Sequence, residues 1–168
     1  MRKFILVCFY ILFSALPISS AQPISSFKLI GKGVLKYYLW DVYEASLFSE
    51  SGKINAKEEF ALVLRYFLNL KGEKIAERSI EEMKGVGCTD SLKHEGWLLE
   101  MKKLFPDVGP GVSLKGVKHS ESRASFYKND QFLGEIDDDK FAECFFNIWL
   151  SEKTSEPELR QQLLGERK

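Results

Sequence analysis

Phe141-Ala142-Glu143-Cys144-Phe145-Phe146-Asn147-Ile148-Trp149-Leu150, followed by Thr154-Ser155-Glu156-Pro157-Glu158-Leu159 and closed by Leu163-Leu164-Gly165, is the stretch on which the fold turns. Asp137, Asp138 and Asp139 precede it, where the positive end of a helix dipole favours carboxylates. Phe141, Ala142, Phe145, Phe146, Trp149 and Leu150 then recur at three- and four-residue spacing, over a face wide enough that the predicted helix belongs to the core. Ser155 and Glu158 have the spacing of a capping box, Pro157 falls in the first turn and Gly165 supplies a stop. A short final helix is therefore expected, with Leu159, Leu163 and Leu164 along its apolar edge.

Upstream of the aspartates, Val112–Val117, Ala124–Lys128 and Phe132–Ile136 read as strands, with Asn129-Asp130 as a hairpin turn between the last two. Two helical patterns come before them. Ile75, Ala76, Ser79, Ile80 and Met83 form one stripe, stopped by Gly85-Val86-Gly87; Trp97, Leu98, Met101, Leu104 and Phe105 form the other, capped by Thr89 or Asp90 and ended by Pro106. Earlier still, Phe60–Leu68 and Val34–Phe48 are dense in β-branched and aromatic residues. The second of these is read as one strand, with Tyr38, Trp40 and Val42 on one face and Tyr37, Leu39, Asp41, Tyr43, Ala45 and Leu47 on the other. Strands, two helices, strands, two helices is an α+β order with an antiparallel sheet.

The beginning of the chain has a different purpose. Arg2 and Lys3 precede an apolar run from Phe4 to Ile18, and Ser19, Ser20 and Ala21 follow. This is the layout of an export signal, short for a spanning helix, and it predicts cleavage after Ala21 and a periplasmic mature chain of residues 22–168, with an uncleaved membrane anchor as the alternative. Without residues 1–21 the chain carries 22 basic against 24 acidic residues, interspersed throughout. No basic stripe is available for nucleic acid. Cys88 and Cys144 remain after Cys8 is lost. A disulfide is possible in an oxidising compartment, but Cys144 lies in an apolar helix and the reading favours two buried, unpaired thiols.

The ordered pieces Gly31-Lys32-Gly33, Asp41-Val42-Tyr43-Glu44-Ala45-Ser46-Leu47-Phe48, Leu64-Arg65-Tyr66, Leu104-Phe105-Pro106-Asp107-Val108 with Gly111, Phe126 to Gly134, and Phe141 to Gly165 resemble the chalcone isomerase-like proteins, in particular their secreted bacterial branch. The resemblance implies an open-faced β-sandwich, a large antiparallel sheet with a layer of helices and a ligand cleft between. In the plant isomerases of this fold, an Arg holds the phenolate while Thr, Tyr and Asn order a water and the ketone. The corresponding positions fall near Ser26, Tyr38, Glu82, and Cys88 or Thr89, so none matches. Without a cation in the cleft a developing oxyanion loses its stabiliser.

Relatives that bind fatty acids use an Arg and a Tyr to hold the carboxylate, and that resemblance makes Arg65 the candidate anchor. Arg65 shares a strand face with Ala61, Val63 and Phe67, where an unpaired guanidinium is costly. A carboxylate ligand would serve, as would an internal acid such as Asp41 or a position reaching water. Tyr38, Tyr66 and Trp40 complete the candidate ligand site, since buried tyrosines need partners. His94 and His119 read as solvated, without metal-ligand spacing. No serine sits in Gly-x-Ser-x-Gly, and Gly31-Lys32-Gly33 reads as a bend before a strand. The expected function is non-catalytic binding of a small amphipathic ligand such as a fatty acid, with no cofactor or metal. The alternatives are an isomerase or intramolecular lyase, and an envelope interaction module.

Overall fold

The computed structural model describes residues 26–55, 57–120 and 123–166, so the expected export signal and the cleavage predicted after Ala21 lie outside the described residues. Six antiparallel strands run in simple meander order: β1 (Lys28–Tyr37), β2 (Trp40–Ser49), β3 (Phe60–Tyr66), β4 (Ser113–Lys118), β5 (Ala124–Lys128) and β6 (Gln131–Ile136). Helices α1 (Gly72–Gly85) and α2 (Ser91–Leu104) interrupt the meander between β3 and β4, and α3 (Asp139–Leu150) and α4 (Pro157–Leu163) end it. The α+β class and the open sheet backed by helices are as the sequence predicts.

Strand register explains the layering. Leu47, Leu62, Gly116 and Phe126 stand opposite one another across β2 to β5, as do Ala45, Leu64 and Leu114 on β2 to β4. These inward rows meet Phe141, Phe145 and Phe146 of α3. Phe145 lies 5.1 Å from Phe126 and 5.6 Å from Phe141, and Phe146 lies 5.0 Å from Phe60, by ring centroids. The wide aromatic face of α3 is therefore the centre of the core. Asp138 caps this helix, accepting from the N–H groups of Lys140 and Phe141 and from Trp97 Nε1 of α2. Burial works against that carboxylate, but the hydrogen bonds from Phe141 and Trp97, and then Lys93, outweigh it and hold the pKa below the usual Asp range.

Val34–Phe48 is not one strand. A two-residue turn, Tyr38-Leu39, folds it into the β1–β2 hairpin, with Tyr37 opposite Trp40. Nothing in the local chemistry announces the turn, because neither residue is Gly, Asn or Asp. Gly31 and Gly33 are not a simple bend either. They are inside β1, where α4 packs so close that a Cβ on Gly31 would stand 2.6 Å from the Leu163 carbonyl oxygen. Only glycine permits that approach.

The cysteines also correct the sequence reading: Cys88 and Cys144 form a disulfide between the α1–α2 connection and α3, with Cα atoms 5.9 Å apart. Cys144 is fully buried, as expected of a small hydrophobe, but burial and bridging are compatible. The capping box fails too, since Ser155 Oγ donates to Glu82 at 2.8 Å instead of capping α4. His94, read as solvated, is buried against Trp97 with both ring nitrogens lacking a partner among the described residues. His119 is tied down as well, 2.8 Å from both Glu59 Oε1 and Ser125 Oγ. That Ser-His-Glu chain fastens the loop before β3 to the β4–β5 hairpin. Ser125 is only 3% exposed, which leaves its hydroxyl no room to attack a substrate.

Candidate ligand-binding cleft

Between the inward face of the sheet and helices α1 and α3 lies a cleft of about 550 Å³, within the range of small-molecule sites. Leu62, Leu64, Leu114 and Phe126 form one wall; Ile75 and Ser79 of α1 and Phe145, Ile148 and Trp149 of α3 form the other. The rim is polar and aromatic. Lys36, Tyr37 and Trp40 come from the β1–β2 hairpin, Lys74, Arg78 and Glu82 from α1, and Ser155 and Glu156 from the segment before α4.

The start of α1 is fixed by Asp107, in the Leu104-Phe105-Pro106-Asp107-Val108 segment. Its carboxylate accepts from Lys71 Nζ at 2.6 Å and from the Gly72 N–H at 3.0 Å. Those bonds, Lys71 first, hold its pKa below the usual range. Lys102 of α2 reaches Glu73 at 2.7 Å and Glu77 at 3.0 Å, bracing α1 from behind, and the disulfide secures the chain just beyond the far end of α1. The wall that carries Arg78 and Glu82 is thus held at both ends.

Two phenols reach into the cleft. Tyr43 and Tyr66 stand opposite each other on β2 and β3, ring centroids 5.6 Å apart. Trp149 Nε1 donates to Tyr43 Oη at 2.9 Å. Tyr66 is buried as a residue, and its hydroxyl, on the cleft side, makes no hydrogen bond among the described residues. Desolvation drives both phenols well above the ordinary tyrosine value, so both are neutral and can donate.

At the rim, Arg78 pairs with Glu82 and lies 3.3 Å from Glu81. Desolvation, and then the nearby Glu82, raise the Glu156 pKa. Arg78, Glu82 and Glu156 are all close enough for their charges to act on Tyr43.

The structure separates the four sequence candidates. Tyr66 and Trp40 line the cleft. Arg65 does not. It is one residue out of phase with Leu64 and Tyr66, so strand alternation sends it to the open, solvent-exposed face of the sheet. There the guanidinium reaches water, one of the alternatives the sequence left open. Tyr38 is also outside, 85% exposed on the hairpin turn, because the chain reverses where a continuous strand was expected.

The sequence missed Arg78 and Glu156, and its reading passes over Tyr43, one of the aromatic residues on adjacent strands, in favour of Tyr38 and Tyr66. Arg78 and Glu82 do have helical i, i+4 spacing, but the apolar stripe of α1 drew the reading to the other face. Contrary to the expectation of a cleft without a cation, Arg78, Lys74 and Lys36 stand at its rim. Glu82, matched to the Tyr position of the plant isomerases, does line the cleft, whereas Cys88, matched to Asn, is in the disulfide.

Residues 16–165 match the family model described as chalcone isomerase-like. The chain belongs to the chalcone isomerase-like family. An uncharacterised protein of Haemophilus influenzae is 31% identical to this chalcone isomerase-like protein over 167 residues, covering 99% of the chain and 79% of the relative. The crystal structure of a fatty-acid binding protein of Arabidopsis thaliana superposes with a TM-score of 0.68 at 12% identity, covering 84% of this chain and 88% of that one. Likeness at that identity establishes a shared fold.

Proposed function

We propose that the cleft binds a small amphipathic ligand, a fatty acid or similar acid, without turning it over. The apolar part lies against Leu62, Leu64, Phe126 and Phe145, and the polar head meets Tyr66, Tyr43 and Arg78. The observation that carries this reading is the Tyr66 hydroxyl, which lines an apolar cleft and makes no hydrogen bond among the described residues. A neutral phenol at that place is a donor in waiting, and a ligand acceptor would complete it. Arg78 takes the anchoring role that the sequence suggested for Arg65. The fatty-acid binding of the Arabidopsis neighbour agrees with this reading.

The isomerase alternative draws on Arg78, a guanidinium beside a buried phenol. The groups that order water and ketone in the plant isomerases have Tyr38, Glu82, and Cys88 or Thr89 at their positions here, however, which favours holding an anion over turning one over. Residues 1–21 further suggest that the protein works in the periplasm after export.

Native mass spectrometry of protein purified from the periplasmic fraction, followed by organic extraction, tests ligand, location and N-terminus together. The expected result is a chain beginning at Gln22 with an extractable amphipathic acid. In titrations with a fluorescent fatty acid, Arg78→Ala is expected to weaken binding about tenfold or more, and Arg65→Ala to leave it unchanged. An empty protein that ignores added fatty acids, or turnover of a chalcone above buffer, rejects the proposal.

A further inference from the structure

Among the described residues, the tip of the β1–β2 hairpin is the most exposed run of consecutive apolar side chains. Tyr37 is 67% exposed, Tyr38 85%, Leu39 97% and Trp40 67%. A soluble protein ordinarily keeps such residues scattered, but here they are consecutive. The backbone at the tip is also unusual. Tyr38 has φ 54°, a left-handed conformation that is an outlier for a bulky residue. Two-residue hairpins favour Asn, Asp or Gly at that position. The β5–β6 hairpin of the same chain follows the rule, with Asn129 and Asp130 at φ 47° and 68°. Turn chemistry therefore does not account for Tyr38, which stands where it is worst for the turn, and both Tyr38 and Leu39 are fully displayed to the surroundings.

Two further facts identify what they meet. Tyr37 and Trp40 also line the cleft, so the tip and the cleft mouth are continuous. The flanking charges are already paired, Lys36 with Asp41 at 3.3 Å, which leaves an apolar tip on a neutral collar. Four side chains fall short of the ~800 Å² and 20–30 residues per partner of a stable protein interface. A lipid surface imposes no such minimum, and Tyr and Trp are the residues that settle at the boundary between headgroups and acyl chains.

We propose that the Tyr37–Trp40 tip seats in the surface of a phospholipid bilayer, placing the cleft mouth at the interface so that the amphipathic ligand passes between membrane and cleft without crossing water. The exchange step rests on the binding reading above; the docking step does not.

The test uses protein purified as processed by the cell, its N-terminus read by mass spectrometry, and phosphatidylcholine vesicles with and without brominated acyl chains. Tyr38→Gly/Leu39→Asn installs a favourable turn, with glycine at the positive φ, and spares every cleft residue. The wild type is expected to float with vesicles at low and high salt. Brominated chains should quench Trp40 emission, since Trp97 and Trp149 are buried. The double variant should keep or raise the thermal midpoint, keep its affinity for a fluorescent fatty acid in solution, and float at least about tenfold less.

Equal flotation of variant and wild type overturns docking through the tip, as does a wild type that never floats. Binding that vanishes with added salt points to electrostatic adhesion and also overturns it. A concentration-dependent dimer lost in the variant, without flotation, assigns the tip to a second copy of the chain. If neither protein takes up the fluorescent fatty acid but only the wild type floats, the cleft reading fails while docking stands.

Discussion

Tyr43 and Tyr66 face each other across one rung of the sheet, yet removing their hydroxyls should have opposite consequences. Tyr43 Oη is the acceptor for Trp149 Nε1, so Tyr43→Phe strands a buried donor and is expected to cost about 1–3 kcal/mol in chemical denaturation. Tyr66→Phe strands nothing among the described residues. Its thermal midpoint should hold or rise, while affinity for a carboxylate ligand falls about tenfold; a loss of stability equal to that of Tyr43→Phe would refute the unpartnered hydroxyl. Glu156 supplies a pH test. Burial, and then Glu82, raise its pKa above the ordinary Glu value. An acid raised in the folded state contributes stability below its unfolded pKa and loses that contribution as pH rises through the folded one. At about pH 7 the charged group is therefore unfavourable, and Glu156→Gln should raise the melting temperature slightly there. The gap should close by about pH 4, below the usual Glu value. A gap that widens on acidification contradicts the assignment.

At the scale of elements, the disulfide has the largest expected effect on stability. It spans 56 residues and joins the middle of the α1–α2 connection to the core helix, and chain entropy puts a loop of that length at about 4 kcal/mol. Cys88→Ser/Cys144→Ser should lose a comparable amount in denaturant titration and weaken ligand binding as well, because α1 carries one wall of the cleft. Alkylation without reductant should label neither cysteine of the mature protein. The same elements show why some of the structure was legible in the sequence. Helix α3 announced itself because Phe141, Phe145 and Trp149 repeat at helical spacing with carboxylates before them. The β5–β6 turn was legible because Asn129-Asp130 is chemically suited to positive φ. The β1–β2 turn was hidden because Tyr38-Leu39 obeys strand propensity and breaks turn propensity. That error, together with an alternation read without knowing which face was covered, sent Tyr38 and Arg65 to the cleft on paper. Arg78 escaped notice because helical charges usually read as a solvated face.

Across the whole molecule, the sheet has one face covered by helices and one open to solvent, and the cleft occurs where the covering is incomplete. A cavity of about 550 Å³ between apolar walls rewards apolar volume, so affinity should depend on acyl length before it depends on the head group. Each methylene that finds room is worth about 0.8 kcal/mol, or roughly fourfold in Kd. In a series of saturated fatty acids, thermal midpoints at fixed ligand concentration should climb with chain length and then level off when the cavity is full. The plateau matters because nonspecific adsorption to the exposed hairpin tip would continue to strengthen with length. Mass action sets the scale: at a ligand concentration one hundred times Kd the native state gains about 2.7 kcal/mol. Tyr66→Phe should lower the whole series by a constant factor, since it touches only the head group, and a substitution that narrows the apolar wall, such as Leu64→Phe, should move the plateau to shorter chains. A flat response at every length, with the disulfide intact, would mean that the cleft is not a ligand cavity at all.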